Sequence, residues 1–323
     1  MSISKQHIAH LTKQLGVFHI ARFAYRVARD PRYLYYYGQG RIVDPQMREH
    51  ARALERSLFR RGGATRPEPS DPQLTRELRA LREDALVRGL EFFSPNEVAE
   101  LKAHLQALQV FDPSDADKRL FDPNQPRTGT RVGYYETEAL ARTPGVLAKA
   151  NHPDLLALVG AYFGCPFRLN SVDCWWSYSD ENADSYHTQA FHRDFDSLNF
   201  LKFFVYLTDV TGDTGPHVFV PRSHKAEAMV ELGGRYTDSE VATVFGDRAV
   251  EIVGSAGTCF LANTFALHKG RIPTENPRLL LQFSYGVNMT VSGPRRPFLK
   301  RADFANPAGY PIDPYINKYF LTS

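Results

Sequence analysis

From about residue 165 onward the chain is built of short runs rich in Val, Phe, Tyr and Leu, each closed by turn residues. Phe200 to Leu207, His217 to Val220, Ala249 to Val253, Thr258 to Ala262 and Leu279 to Val287 are such runs, and Thr211 to Gly215 and Gly254 to Gly257 are turns that separate them. A strand leaves unpaired backbone donors and acceptors along its edge. A succession of short strands without long intervening helices therefore has to close on itself or stack, which predicts a barrel or jelly roll with helices packed outside. No internal repeat is present.

The first part of the chain has a different period. Ile8, Leu11, Leu15 and Phe18, and then Met47, Leu54 and Leu58, recur at helical spacing, with an aromatic knot of Tyr33, Tyr35, Tyr36 and Tyr37 between them. Residues 60–71 have the Gly, Pro and polar composition of a linker, so a boundary is expected near residue 72: an N-terminal helical extension over 1–72 and a β-rich domain over 73–323. Beyond it, Gln73 to Ala85 reads as a helix. Ser94, Pro95 and Glu97 form a capping-box pattern ahead of Val98, Leu101, Leu105 and Leu108. The net charge of +3 hides an asymmetry, because residues 1–75 hold 13 Lys+Arg against 6 Asp+Glu and the remainder is slightly acidic.

Composition excludes several classes. No stretch approaches the ~20 apolar residues of a membrane span, Leu15 to Ala28 being interrupted by His19, Arg22 and Arg26, and no secretory h-region is present. Three scattered cysteines, Cys165, Cys174 and Cys259, make neither a disulfide framework nor a zinc site, and read as reduced thiols of a cytoplasmic protein. Nucleic-acid binding lacks any module signature.

The chemistry concentrates in two segments. In Gln189 to Asp196, His192 and Asp194 stand at i and i+2, so a strand presents both to one side. His268, 74 residues after Asp194, supplies a third ligand, and two imidazoles with one carboxylate leave open positions on a non-heme Fe(II) where a co-substrate and O2 bind. His-x-Asp alone is weak: with 11 histidines and Asp at roughly one residue in twenty, about half a match arises by chance. A second one, His152-Pro153-Asp154, precedes Leu155 to Val159 and reads as a helix start. Arg278, ten residues after His268, opens the apolar run Leu279 to Tyr285. A buried guanidinium needs a carboxylate, either one of the protein's own acids or a dicarboxylate such as 2-oxoglutarate gripped by a bidentate fork.

The run Thr211 to Lys225 (Thr-Gly-Asp-Thr-Gly-Pro-His-Val-Phe-Val-Pro-Arg-Ser-His-Lys) resembles the Pro-Gly-Ser-His-Lys turn signature of the phytanoyl-CoA dioxygenase-like family of Fe(II)/2-oxoglutarate oxygenases. The order His192-x-Asp194, this signature, Gly257 to Phe260, His268 and Arg278 is also the family's, and Ala85 to Glu100 is similar to its opening strand and helix; the resemblance spans residues 76 to 290. It implies a double-stranded β-helix, a cupin-like jelly roll. It further implies that His192, Asp194 and His268 hold iron, that Arg278 anchors 2-oxoglutarate, and that Phe204 and Asn170 lie beside the co-substrate. Hydroxylation of a small molecule with release of succinate and CO2 is then expected, and halogenation is disfavoured because Asp194 fills the position that related halogenases empty. Two residues depart from the pattern: Arg222 stands at the signature's Gly, and Gly270 where a small hydroxyl residue often follows the distal His.

Other residues have structural readings as well as functional ones. His224 in the Ser-His-Lys turn reads as structural, His217 as a core or rim histidine, and Trp175 and Trp176 as pocket or core. The polar loop Ser177 to Tyr186 reads as a lid or simply as solvated. Arg295, Arg296, Lys300 and Arg301, with the basic extension, read as solvated surface or as an attraction for an anionic or carrier-bound substrate. The extension itself is expected to pack on the barrel or on a second copy in a homodimer, and a non-catalytic β-helix serving as a binding module is the alternative to an enzyme.

Overall fold

The computed structural model describes residues 21–60, 71–179, 190–304 and 306–322. Helices α1 (21–29), α2 (Arg32–Gln39), α3 (Pro45–Arg60) and α4 (Pro72–Asp84) lead to strand β1 (Leu86–Leu90). Helix α5 (Pro95–Gln106) follows, then three short strands, β2 (Val110–Phe111), β3 (Leu120–Phe121) and β4 (Val132–Tyr134), and helices α6 (Thr137–Arg142), α7 (Val146–Ala150) and α8 (Pro153–Phe163). The β-rich half contains β5 (Arg168–Ser177), β6 (Phe200–Tyr206), β7 (His217–Phe219), helix α9 (Asp238–Phe245), β8 (Val250–Ile252), β9 (Cys259–Ala262), β10 (His268–Gly270) and β11 (Arg278–Gly286). A parallel pair, β12 (Leu299–Lys300) and β13 (Leu321–Thr322), closes the chain.

Local chemistry sets the helix ends. Asp71 caps α4 by accepting from Gln73 N and Leu74 N, and Ser94 with Glu97 makes the expected capping box on α5. The second His-x-Asp pair is a cap as well, since His152 precedes Pro153 at the start of α8 and its Nδ1 accepts from Asp154 N at 3.3 Å.

The strands form the two layers of a double-stranded β-helix: a large sheet in the order β1-β9-β6-β11-β5-β4-β2-β3 and a small one in the order β10-β7-β8. The large sheet has two apolar faces of different character. Leu201, Phe203, Val205, Leu281, Phe283 and Tyr285 point out against Leu81, Leu101, Leu105, Leu155 and Leu158 of the helices, forming the main core. Each such fully buried side chain contributes about 1.5–3 kcal/mol. The alternate residues point inward, where Phe204, Tyr206, Phe260 and Leu280 pack together. The same alternation divides the two tryptophans, Trp176 joining the outer core and Trp175 facing in.

The N-terminal extension differs from expectation in two ways. The tyrosines do not separate helices; they belong to α2. Helix α3 buries Arg48, Arg52 and Glu55 and leaves Met47, Leu54 and Leu58 about 60% exposed, at 65%, 63% and 58%. The physical reason is a set of buried acceptors beside the helix, in the loop it covers and in the turn that precedes it. Arg48 Nη2 donates to Ser197 O at 2.6 Å and Nη1 to Ile42 O at 3.1 Å, and Arg52 Nε donates to Asn199 Oδ1 at 3.3 Å. Buried backbone acceptors must be satisfied, and arginine reaches them where leucine cannot. Gln39 of α2 likewise donates to Phe195 O. The extension thus clamps residues 195–199, immediately after the His-x-Asp pair; Ile8 to Phe18 lie outside the described residues.

Candidate metal centre and co-substrate pocket

His192 and His268 are cross-strand neighbours. Each backbone N–H donates to the other's carbonyl, at 2.9 and 3.0 Å, in an isolated antiparallel bridge that extends β10. Asp194 N donates to Thr264 O at 2.8 Å, which fixes the third ligand against the same segment. The imidazole centroids lie 4.4 Å apart. His192 Nε2 is 3.6 Å from Asp194 Oδ1, His268 Nε2 is 3.3 Å from Asp194 Oδ2, and one ligand atom from each residue falls within 4.8 Å of the others.

The protonation pattern suits a metal. Nδ1 of each imidazole sits 3.0 Å from a backbone carbonyl, Ala190 O for His192 and Ala266 O for His268, so Nδ1 carries the hydrogen and Nε2 presents its lone pair inward. Burial, aided by the neighbouring His268, lowers His192 to about 4, keeping it neutral. Burial pushes the Asp194 carboxyl up, but Lys202 and His268 outweigh it and hold the group well below its ordinary range. Lys202 Nζ is 2.7 Å from Asp194 Oδ2 and 2.9 Å from Asp196 Oδ2. Two imidazole nitrogens and a carboxylate held ionised are the donor set that a divalent iron takes.

Arg278 is 3% exposed. Its Nη2 donates to Ser177 Oγ at 3.2 Å, while Nε and Nη1 have no partner and no carboxylate faces them among the described residues. Burial lowers its pKa. The ion pair with an acid of the protein is therefore not formed, and the guanidinium is left with the unmet donors that a carboxylate-bearing ligand satisfies. Gly270 explains its place: a Cβ there would come 3.2 Å from Arg278 Nη2, so the missing side chain gives the guanidinium room. Gly270 stands two residues after His268 on β10, about 7 Å along the strand, so the metal ligands and Arg278 flank one short stretch of the interior.

Phe204 is buried on the inner face, its ring stacked on Phe260 at 4.8 Å and 5.1 Å from His217, which in turn stacks on His268 at 5.3 Å. Asn170 is not gathered there. It lies on β5 seven residues before Ser177, the cross-strand partner of Arg278, or about 23 Å along the strand, and its amide donates to Asn288 O at 2.8 Å. The amide expected beside the co-substrate is thus at the other end of the sheet, because strand register, invisible in spacing alone, sets which residues share a row. Arg222 accounts for the signature's glycine: it adopts φ 64°, ψ −1°, the left-handed conformation that glycine takes freely, and is tied to Asp84 at 2.7 Å. His224 is buried in that turn, away from the triad. Of the polar loop, residues 180–189 lie outside those described.

Four residues that the sequence reading passed over also face this interior: Tyr134, Asp173, Lys202 and Gln282. Their signal was a polar residue at inward positions of an otherwise apolar strand, legible only once the strand and its register are known.

The phytanoyl-CoA dioxygenase (PhyH) family model matches residues 84–278. No curated protein matches the sequence. Among solved structures, EctD from S. alaskensis in its apoform is 23% identical, with a TM-score of 0.52, over 78% of this chain and 90% of that one. The epimerase SnoN, in complex with Fe3+, alpha ketoglutarate and nogalamycin RO, is 24% identical, with a TM-score of 0.50, over 76% of this chain and 94% of that one. These likenesses show the fold, and the family match covers more than half the chain. The chain belongs to the phytanoyl-CoA dioxygenase family of Fe(II)/2-oxoglutarate-dependent oxygenases.

Proposed function

We propose that the protein is a dioxygenase that hydroxylates an unactivated C–H bond of a small metabolite or biosynthetic intermediate and releases succinate and CO2. The observation that carries this reading is the pairing of an acid-bearing triad with a buried arginine whose donors are unmet, one strand turn apart. In it His192 Nε2, His268 Nε2 and Asp194 hold Fe(II), and Arg278 takes the distal carboxylate of 2-oxoglutarate. The iron, when bound, supplies O2 activation coupled to cleavage of the keto acid. The chain's own residues orient and exclude water: Ala190 O and Ala266 O fix the imidazoles, Lys202, itself paired with Asp196, holds the Asp194 carboxylate, and Phe204, Phe260 and Tyr206 form a dry wall. Asp194 fills a coordination position, which favours hydroxyl transfer over halide transfer.

The test is succinate release with product mass. A gain of one oxygen atom per succinate supports hydroxylation; a product with no added oxygen assigns desaturation or epimerisation to the same site. Anaerobic Fe(II) with 2-oxoglutarate distinguishes the non-catalytic alternative, for which no visible charge-transfer band is expected. The three buried free cysteines support a reducing, cytoplasmic setting, and among the described residues no helix is long and apolar enough to cross a membrane.

A further inference from the structure

The inward faces of β6, β11 and β5 form cross-strand rows. Arg278 pairs with Ser177; two residues on, Tyr206, Leu280 and Trp175 share a row, then Phe204, Gln282 and Asp173, then Lys202, Ser284 and Ser171. The first row belongs to the co-substrate arginine and the last adjoins the metal carboxylate through Lys202. Between them stands an acid with no task in the reaction described above. Ser171 Oγ and Gln282 Nε2 both donate to Asp173 Oδ2, at 2.7 and 3.2 Å, and no described residue donates to Oδ1. Ser284 Oγ, 2% exposed and in the next row, has no partner at all. Beside Asp173, on the same face of β5, Trp175 stacks on its cross-strand partner Tyr134 with centroids 5.3 Å apart and planes at 16°, making a flat aromatic wall. Tyr134, Asp173, Trp175, Asp194 and Lys202 all keep partial exposure although they face inward, so they line one recess of the barrel.

Charge decides what the cavity takes. With iron and 2-oxoglutarate in place, their charges and those of Asp194 and Arg278 cancel. Beyond these, burial raises the Asp173 carboxyl; a cation is the partner that restores its charged form, and an anion is the one it repels. This reverses the expectation of an anionic substrate drawn from the basic surface residues. One of those, Arg295, lies 3.7 Å from the buried carboxylate of Asp30 on the outside of the molecule.

Resting on the oxygenase reading above, we propose that the substrate presents a protonated amine on a hydroxylated ring, the amine bonded to Asp173, a hydroxyl to Ser284, and the ring's C–H face against Tyr134 and Trp175. An aromatic plane flanked by an acid and a free hydroxyl matches the alternating apolar and donor-rich faces of such a ring.

Three probes of one shape and different charge test this: glucosamine, glucose and glucuronate, titrated at neutral pH into the anaerobic protein loaded with Fe(II) and 2-oxoglutarate, with binding read by calorimetry and by the shift of the charge-transfer band. The expected order is glucosamine, then glucose, then glucuronate, with about tenfold or more between the first and last, the scale of one partly buried charge contact. Asp173→Asn should weaken glucosamine about tenfold and bring it level with glucose. Glucuronate binding as tightly as glucosamine, no binding by any probe, or unchanged discrimination in Asp173→Asn overturns the proposal. Failure of the unliganded protein to give the band overturns the oxygenase reading instead, so the two failures are distinct. If Asp173→Asn does not fold, the charge series on the native protein decides alone.

Discussion

Arg193 and Arg278 are both buried arginines of one barrel, and their surroundings differ in kind. Arg193, behind the triad and 4% exposed, spends its whole guanidinium on backbone carbonyls: Met229 O at 2.7 Å, Phe265 O at 2.8 Å and Ala228 O at 3.0 Å. Arg278, at the front, has one bond to a serine and two nitrogens without partners. A buried donor left unmet costs about 1–3 kcal/mol. The rear of the barrel is therefore complete as folded, held by Arg193, Arg48 and Arg52, whereas the front carries a deficit that a bound dicarboxylate would remove. Burial alone marks neither role; the fate of the donors does.

The comparison breaks most sharply at the triad. Asp194→Ala should lower substrate-dependent succinate formation by about 10³-fold or more and reduce bound iron by metal analysis; an iron-loaded, active variant would refute the assignment. The two arginines should then separate cleanly. Arg278→Ala should raise the 2-oxoglutarate requirement about 100-fold through loss of two charge-assisted hydrogen bonds, with a melting temperature near that of the parent. Arg193→Ala should cost about 3 kcal/mol in urea unfolding while the folded fraction keeps its 2-oxoglutarate affinity. An Arg278→Ala protein that unfolds easily but binds 2-oxoglutarate normally would reverse the roles.

The rear region also predicts a pH dependence. Burial, followed by Arg52, Lys225 and Arg193, lowers His224 to about 3. The unfolded chain takes up this proton near pH 6.5 and the native state only near 3, so the unfolded state binds more protons between them and stability falls as pH drops through that window. About 2 kcal/mol should be lost between pH 7 and pH 5, and His224→Gln should flatten the dependence, as seen by urea titration at the two values. Smallest of all, Leu54→Glu on the exposed apolar stripe of α3 should change stability by less than about 0.5 kcal/mol; a larger loss would mean that the stripe is covered.

Local chemistry carried much of this into the sequence. The capping box at Ser94, the turn at Arg222 and the strand runs depend on neighbours a few residues apart, so they were legible, and the ligands His192, Asp194 and His268 stood out because a metal demands particular donor types. The positions of Asn170, Asp173, Lys202 and Ser284 are not legible in the sequence, for a common reason. Which residues share a row depends on register between strands more than a hundred residues apart, and no local spacing encodes it. Helix α3 makes the same point from outside the barrel. Its period predicted a helix but not which side faces in, because Ser197 O and Asn199 Oδ1, which draw its arginines inward, are set in place only once the barrel has formed.

By itself, then, the sequence determined the elements, the metal donors and the family, since these rest on residue type and short-range spacing. Tertiary structure alone decided that Arg278 meets no acid among the described residues and that Asp173 and Ser284 stand in adjacent inward rows of β5 and β11. Pairing distant strands is what places a charge beside, or out of reach of, its complement.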